Sequence, residues 1–152
     1  MNPLDESRLF ELVSSFRAAI LRTEKSKLPI SLSEFPVGSC GDASLLLARF
    51  LQEHGLGEAS YVCGHLGPYS HAWLEVGEFQ IDITADQFVS DPEKELWSGR
   101  PGDLWEGVMV THDRSWHSKF EEQIRHSADL SLYDASSRAE LEHYYREITG
   151  NL

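Results

Sequence analysis

The sequence predicts an α+β fold. The chain opens with two helical patterns, continues with three consecutive β-like segments rather than strands alternating with helices, and then returns to helical patterns. Its 152 residues, 41% of them hydrophobic, suit a single domain over 1–152 built around one core.

From Asp5 to about Thr23, Leu9, Phe10, Leu12, Val13, Phe16, Ile20 and Leu21 form a helical stripe behind a cap at Asp5 or Ser7. A polar stretch from Thr23 to Lys27, then Pro29 and Pro36, ends that periodicity. The small residues Gly38-Ser39-Cys40-Gly41-Asp42 follow, a group suited to a tight turn that opens a helix. Ala43 to His54 is that second helix, apolar over most of its circumference and therefore central. Glu58 to Gly64, Ser70 to Val76 and Phe79 to Thr84 are β-like, with Gly77-Glu78 placed where a two-residue hairpin turn would sit. Asp86 to Trp105 is rich in Asp, Pro and Gly; Gly107 to Val110 is a candidate strand; Trp116 to His126 and Ala135 to Ile148 are predicted helices.

Thirteen Lys and Arg against 25 Asp and Glu leave a net charge of −12, the wrong sign for holding nucleic acid or an anionic membrane. Neither is an expected partner. Two cysteines, Cys40 and Cys63, are too few for a disulfide framework and favour a reduced, cytoplasmic setting. Met1 to Glu6 lacks the basic start and apolar run of a signal peptide, and no apolar stretch approaches ~20 residues. A secreted effector exported by a non-standard route would carry no such mark.

The chemistry gathers around Cys40. A cysteine in the first turn of a buried helix sits where unpaired N–H groups and the helix dipole stabilise a thiolate. If Gly77-Glu78 is the turn, Val76 opposes Phe79, Glu75 opposes Gln80 and Leu74 opposes Ile81. Side-chain alternation then puts Ala72, Leu74, Val76, Phe79, Ile81 and Ile83 on one apolar face. His71, Trp73, Glu75, Gln80, Asp82 and Thr84 share the other. His71 and Asp82 become diagonal neighbours, about 7–8 Å apart at the backbone, a gap that side chains can close. A thiol nucleophile needs an imidazole to manage its proton and a carboxylate to fix that imidazole, and Cys40, His71 and Asp82 fill those roles.

The phrases Gly38-Ser39-Cys40-Gly41-Asp42-Ala43, Ser70-His71-Ala72-Trp73-Leu74-Glu75-Val76 and Gln80-Ile81-Asp82-Ile83-Thr84 resemble the transglutaminase-like branch of the papain-like cysteine enzymes. The resemblance covers roughly Phe35 to Phe88. It implies a Cys-bearing helix packed on an antiparallel sheet, with flanking N- and C-terminal helices, and amide chemistry through a thioacyl-enzyme. It implies no cofactor, and the chain lacks the β-sandwich appendages and calcium loops of the animal transglutaminases. The papain branch carries a Gln ahead of its Cys to stabilise the oxyanion, whereas here Glu34 stands in that region and no Gln lies between Thr23 and Cys40. The Cys40 backbone amide is the expected donor instead.

Competing readings rank lower. Asp86, a rival to Asp82, falls past the strand in this register. Cys40, Cys63, His65 and His71 lack the spacing of a zinc site, so no metal is expected. Ser39 and Gly41 beside the nucleophile, with Tyr69 and Trp73, are candidate substrate contacts. His112 and His117 flank a polar loop before a predicted helix capped by Ser115. The acidic runs at Asp91-Pro92-Glu93-Lys94-Glu95 and Glu121-Glu122 fit solvated surface that could also steer a basic peptide. The expected function is a cysteine-dependent amide hydrolase, a peptidase or glutamine deamidase acting on a peptide or protein. The alternatives are a transglutaminase or acyltransferase using the same three residues, or a non-catalytic peptide-binding module.

Overall fold

The computed structural model describes residues 5–56, 58–88 and 107–152. Helix α1 (Glu6–Arg22) begins where the Asp5 carboxylate accepts the Ser7 N–H at 2.9 Å, satisfying one of the unpaired donors of the first turn. Its buried stripe is Leu9, Val13, Phe16, Ala19 and Ile20, while Phe10 and Leu21 of the predicted stripe are exposed. Helix α2 (Cys40–Glu53) starts three residues ahead of the apolar pattern, because Cys40-Gly41-Asp42 already form its first turn. Eight of its residues, Ala43 through Leu51 without Arg49, are buried, which is the central position predicted for it. Helix α3 (Ala135–Thr149) is capped by Asp134, which accepts the Ser137 N–H at 2.9 Å, and lays Leu141, Tyr145 and Ile148 on the same core.

Strands β1 (Ala59–Leu66), β2 (Tyr69–Val76), β3 (Phe79–Asp82), β4 (Met109–Thr111) and β5 (Glu121–Ser127) form a sheet of order β4-β3-β2-β1-β5. Every pairing is antiparallel. The β2–β3 hairpin has the predicted register, Val76 with Phe79, Glu75 with Gln80 and Leu74 with Ile81. Its turn puts Gly77 at φ 59°, a left-handed conformation that a Cβ would strain.

The β2–β3 hairpin is buried on both faces. One face carries Leu74, Val76, Phe79, Ile81 and Val110 into a core shared with all three helices. The other packs Val62, Trp73 and Met109 against Ala85, Phe88, Trp116 and Phe120. The hairpin's polar residues His71, Glu75, Gln80, Asp82 and Thr84 are therefore buried too. Polar side chains at alternating positions ordinarily mark a solvent face; here an aromatic layer covers them.

The helix predicted at Trp116 to His126 is not formed. His117–Lys119 make one 3-10 turn, and Glu121–Ser127 become β5 at the sheet edge beside β1. Its residues are exposed and mostly polar, so no buried face announces a strand; the open hydrogen-bonding edge of β1 imposes one. Gly64 permits the approach, since a Cβ there would lie 2.7 Å from the Glu121 carbonyl oxygen.

Arg17 of α1 ties the helical layer to the chain beyond β3. Its guanidinium donates to the Ile83 and Gly107 carbonyls and pairs with Asp86 at 2.8 Å, with both side chains largely buried. Arg17→Met keeps the aliphatic packing but strands a carboxylate and two carbonyls. It should cost about 3 kcal/mol in urea denaturation.

Candidate active site

Cys40 is the first residue of α2, partly exposed, with unpaired first-turn amides around it. The Ala72 N–H and the His71 imidazole both act on its thiol and favour the thiolate. On the far side of that ring, His71 Nε2 lies 2.6 Å from Asp82 Oδ2. The three residues predicted as nucleophile, base and orienting carboxylate thus meet in one chain of contacts. His71 and Asp82 are brought there by the hairpin register, and Cys40 by the packing of α2 against β2.

Two residues that sequence reasoning missed join them. His117 Nε2 lies 2.8 Å from the same oxygen, Asp82 Oδ2, so one carboxylate oxygen accepts from two imidazoles. Asp82 Oδ1 is taken by the Thr84 N–H at 3.0 Å and its hydroxyl at 3.4 Å. Gln87, in the 3-10 turn Ala85–Phe88, places its Nε2 3.3 Å from His71 Nδ1, the nitrogen on the Cys40 side. The Gln87 carbonyl oxygen accepts the Gly38 N–H at 3.5 Å, linking that turn to the loop ahead of Cys40. In the sequence His117 reads as the start of a surface helix behind a polar loop, and Gln87 lies past β3 rather than ahead of Cys40, where the papain branch carries its glutamine.

His71, Asp82 and His117 expose 0%, 2% and 1% of their surface, so solvent does not screen their charges. Burial alone would raise the Asp82 pKa, but the His71 charge and the hydrogen bonds from both imidazoles hold it far below the usual carboxylate range. An ionised carboxylate only accepts, so both Nε2 atoms carry protons. Burial alone would lower the His71 pKa; the Asp82 charge and hydrogen bond, with Cys40, lift it to about 9. Burial likewise opposes the Cys40 thiolate, yet the His71 hydrogen bond and charge and the Ala72 N–H bring its pKa below the ordinary thiol value. The two shifts run in opposite directions, the Cys40 thiol lowered and the His71 imidazole raised, which is the direction that favours a thiolate–imidazolium pair. His117, depressed by burial and by the His71 charge, stays neutral.

Of the other predicted contacts, Gly41 follows Cys40 in α2 against the Tyr61 hydroxyl, where a Cβ would stand at 3.4 Å. Tyr69 is half-buried at the start of β2, edge-on to Phe88. Ser39 is buried, its hydroxyl donating to the Ser31 and Val37 carbonyls, and Trp73 is buried beside His117 and Phe120. Asp86 is engaged by Arg17. Cys63 is a free thiol on β1 whose pKa burial pushes up, and His65 faces Glu121 at 3.6 Å. His112 stacks on Phe79, with ring centroids 4.0 Å apart. The run at Asp91 to Glu95 lies outside the described residues. Glu122 pairs with Arg125 at 2.6 Å on exposed β5.

Among the described residues, the group with the donors for a metal is His71, Asp82 and His117, their ligand atoms within 4.8 Å of one another. At 2.6 and 2.8 Å, both imidazoles hydrogen-bond directly to the carboxylate. An ion there would take about 2.0–2.2 Å to each ligand and would displace both Nε2 protons. No helix among the described residues is long and apolar enough to cross a membrane. Comparison with protein-family models, with curated proteins and with solved structures finds no match.

Proposed function

We propose that this protein is a cysteine-dependent amide hydrolase of transglutaminase-like type, acting on a peptide or protein as a peptidase or glutamine deamidase. The observation that carries the reading is Cys40 at a helix N-terminus, with its thiol under the influence of the His71 imidazole, whose Nε2 lies 2.6 Å from Asp82 Oδ2. The Cys40 thiolate attacks the amide carbonyl. The His71 imidazolium gives its Nδ1 proton to the departing amine or ammonia as the C–N bond breaks, leaving a thioester on Cys40. Water then attacks the thioester while His71 takes its proton; the acid product leaves and the thiolate returns. Asp82 fixes the ring through Nε2, and His117 fixes Asp82.

The developing oxyanion would be met by the Cys40 N–H and by the Gln87 amide. Gln87 can donate to His71 Nδ1 only while that nitrogen lacks a proton; once Nδ1 is protonated, the amide is released toward the substrate. Gln87→Leu should lower kcat by about 10²-fold, with Cys40 alkylation by iodoacetamide preserved. Comparing steady-state kinetics with alkylation rates checks it.

The pH profile tests the reading as a whole. Cys40, with its lowered pKa, should alkylate with iodoacetamide at mildly acidic pH much faster than Cys63, whose pKa is raised. Turnover of a peptide amide should rise with thiolate formation and fall as His71 loses its proton near pH 9. Equal alkylation of the two cysteines across that range would overturn the proposal.

A further inference from the structure

Glu75 of β2 takes no part in the chemistry proposed for Cys40, yet it is only 9% exposed, on the sheet face that carries His71 and Asp82. Two guanidiniums compensate its charge. Arg125 of β5 reaches across β1 to hold it in a fork, Nη1 to Oε1 at 3.1 Å and Nη2 to Oε2 at 3.0 Å. Arg114, in the loop after β4, adds Nη2 to Oε1 at 3.1 Å. Burial alone would raise the Glu75 pKa, but the Arg125 and Arg114 hydrogen bonds bring it to about 2, so the carboxylate stays ionised and only accepts.

The two arginines stand on either side of His117. Arg114 is bound into the turn that carries this residue: its carbonyl accepts the Ser118 N–H at 2.9 Å, and the Asp113 carboxylate ahead of it accepts the Ser115 N–H at 2.9 Å. The His117 carbonyl accepts the Phe120 N–H at 3.1 Å, where the chain enters β5 and runs on to Arg125. Both arms of the segment are therefore tied to one carboxylate of β2, and at its middle His117 Nε2 meets Asp82 Oδ2 at 2.8 Å. A buried ion pair adds little stability over an apolar pair of the same volume; what an arginine fork adds is a fixed distance and plane.

We infer that Glu75 is a positioning residue. Through Arg114 and Arg125 it holds the 3-10 turn so that His117 donates to Asp82, and so sets the carboxylate that orients His71. The inference rests on reading Cys40, His71 and Asp82 as the catalytic set.

Glu75→Gln keeps the volume but sets an NH2 where a guanidinium needs an acceptor, and Arg114→Gln releases the loop alone. In the full chain labelled with ¹⁵N, NMR can compare solvent exchange of the His117 Nε2 proton with that of the Leu74 amide in the central strand. Each variant should speed exchange at His117 about tenfold more than at Leu74, whereas a role confined to stability would move the two together. Labelling of Cys40 by an electrophilic peptide amide should slow about fivefold in Glu75→Gln. Adding Glu75→Gln to His117→Phe should slow it no further, because both changes act through one contact. If Glu75→Gln fails to fold, Arg114→Gln, at a side chain 56% exposed, carries both measurements. Parallel exchange at His117 and Leu74 would overturn the inference, as would a full additional loss in the double variant. Labelling of Cys40 no faster than Cys63 in the parent would instead sink the amide-hydrolase reading, and the exchange comparison would still decide whether Glu75 holds His117.

Discussion

Cys40→Ala should take up no electrophilic peptide-amide probe on residue 40 and should lose turnover by ~10⁴-fold or more, because the sulfur that forms the thioester is gone and burial pushes the pKa of the other cysteine, Cys63, up. His71→Ala should lose nearly as much while leaving the thiol in place. The thiol then lacks the hydrogen bond and charge that lower its pKa, and burial pushes it back toward an unreactive form. Mass spectrometry of the three proteins separates these effects. The parent should be labelled on Cys40, Cys40→Ala not at residue 40, and His71→Ala only slowly. Labelling of Cys40 at an unchanged rate without His71 would leave the residue as a reactive thiol with no catalytic partner.

Asp82→Asn should be nearly as damaging for a different reason. Asp82 Oδ2 accepts from two imidazole N–H groups, and Oδ1 accepts from the Thr84 N–H and hydroxyl. An amide has one oxygen and one NH2, so whichever way it turns, one side sets donor against donor. If the NH2 faces the imidazoles, His71 must place its proton on Nδ1 and loses the form that takes a proton from that side. A loss of about 10³–10⁴-fold in kcat is expected, with a stability cost of about 2–4 kcal/mol. Turnover and urea denaturation of the same preparation measure both. His71 exchange in Asp82→Asn should also differ from that in the parent by NMR, a change that loss of stability alone would not produce.

The parts of this site legible in the sequence are those fixed by local rules. Alternation in the β2–β3 hairpin and the Gly77-Glu78 turn put His71 and Asp82 on one face, and the small residues before α2 placed Cys40 at a helix start. The parts that were not legible depend on distant chain. His117 is 35 residues beyond Asp82, and its role follows from a 3-10 turn folding over the sheet, which no periodicity announces. β5 has good helix formers in Glu121, Glu122, Gln123 and Arg125 and no apolar alternation; its conformation is dictated by the edge of β1. Trp73 has the alternation of an open-face residue, and only the aromatic layer from Trp116 and Phe120 turns that face into a second interior.

The double burial of the β2–β3 hairpin also bears on which lengths of chain evolution or engineering can change. A sheet with one wet face tolerates some slippage at its hairpins, because the exposed side accepts almost anything. Here one residue inserted at Gly77-Glu78 would send β3 half a pleat out of phase. Asp82 would turn into the helical core, and Ile81 or Ile83 would face the two imidazoles. Both faces would be wrong at once, so variation in length is confined to the connections outside this hairpin.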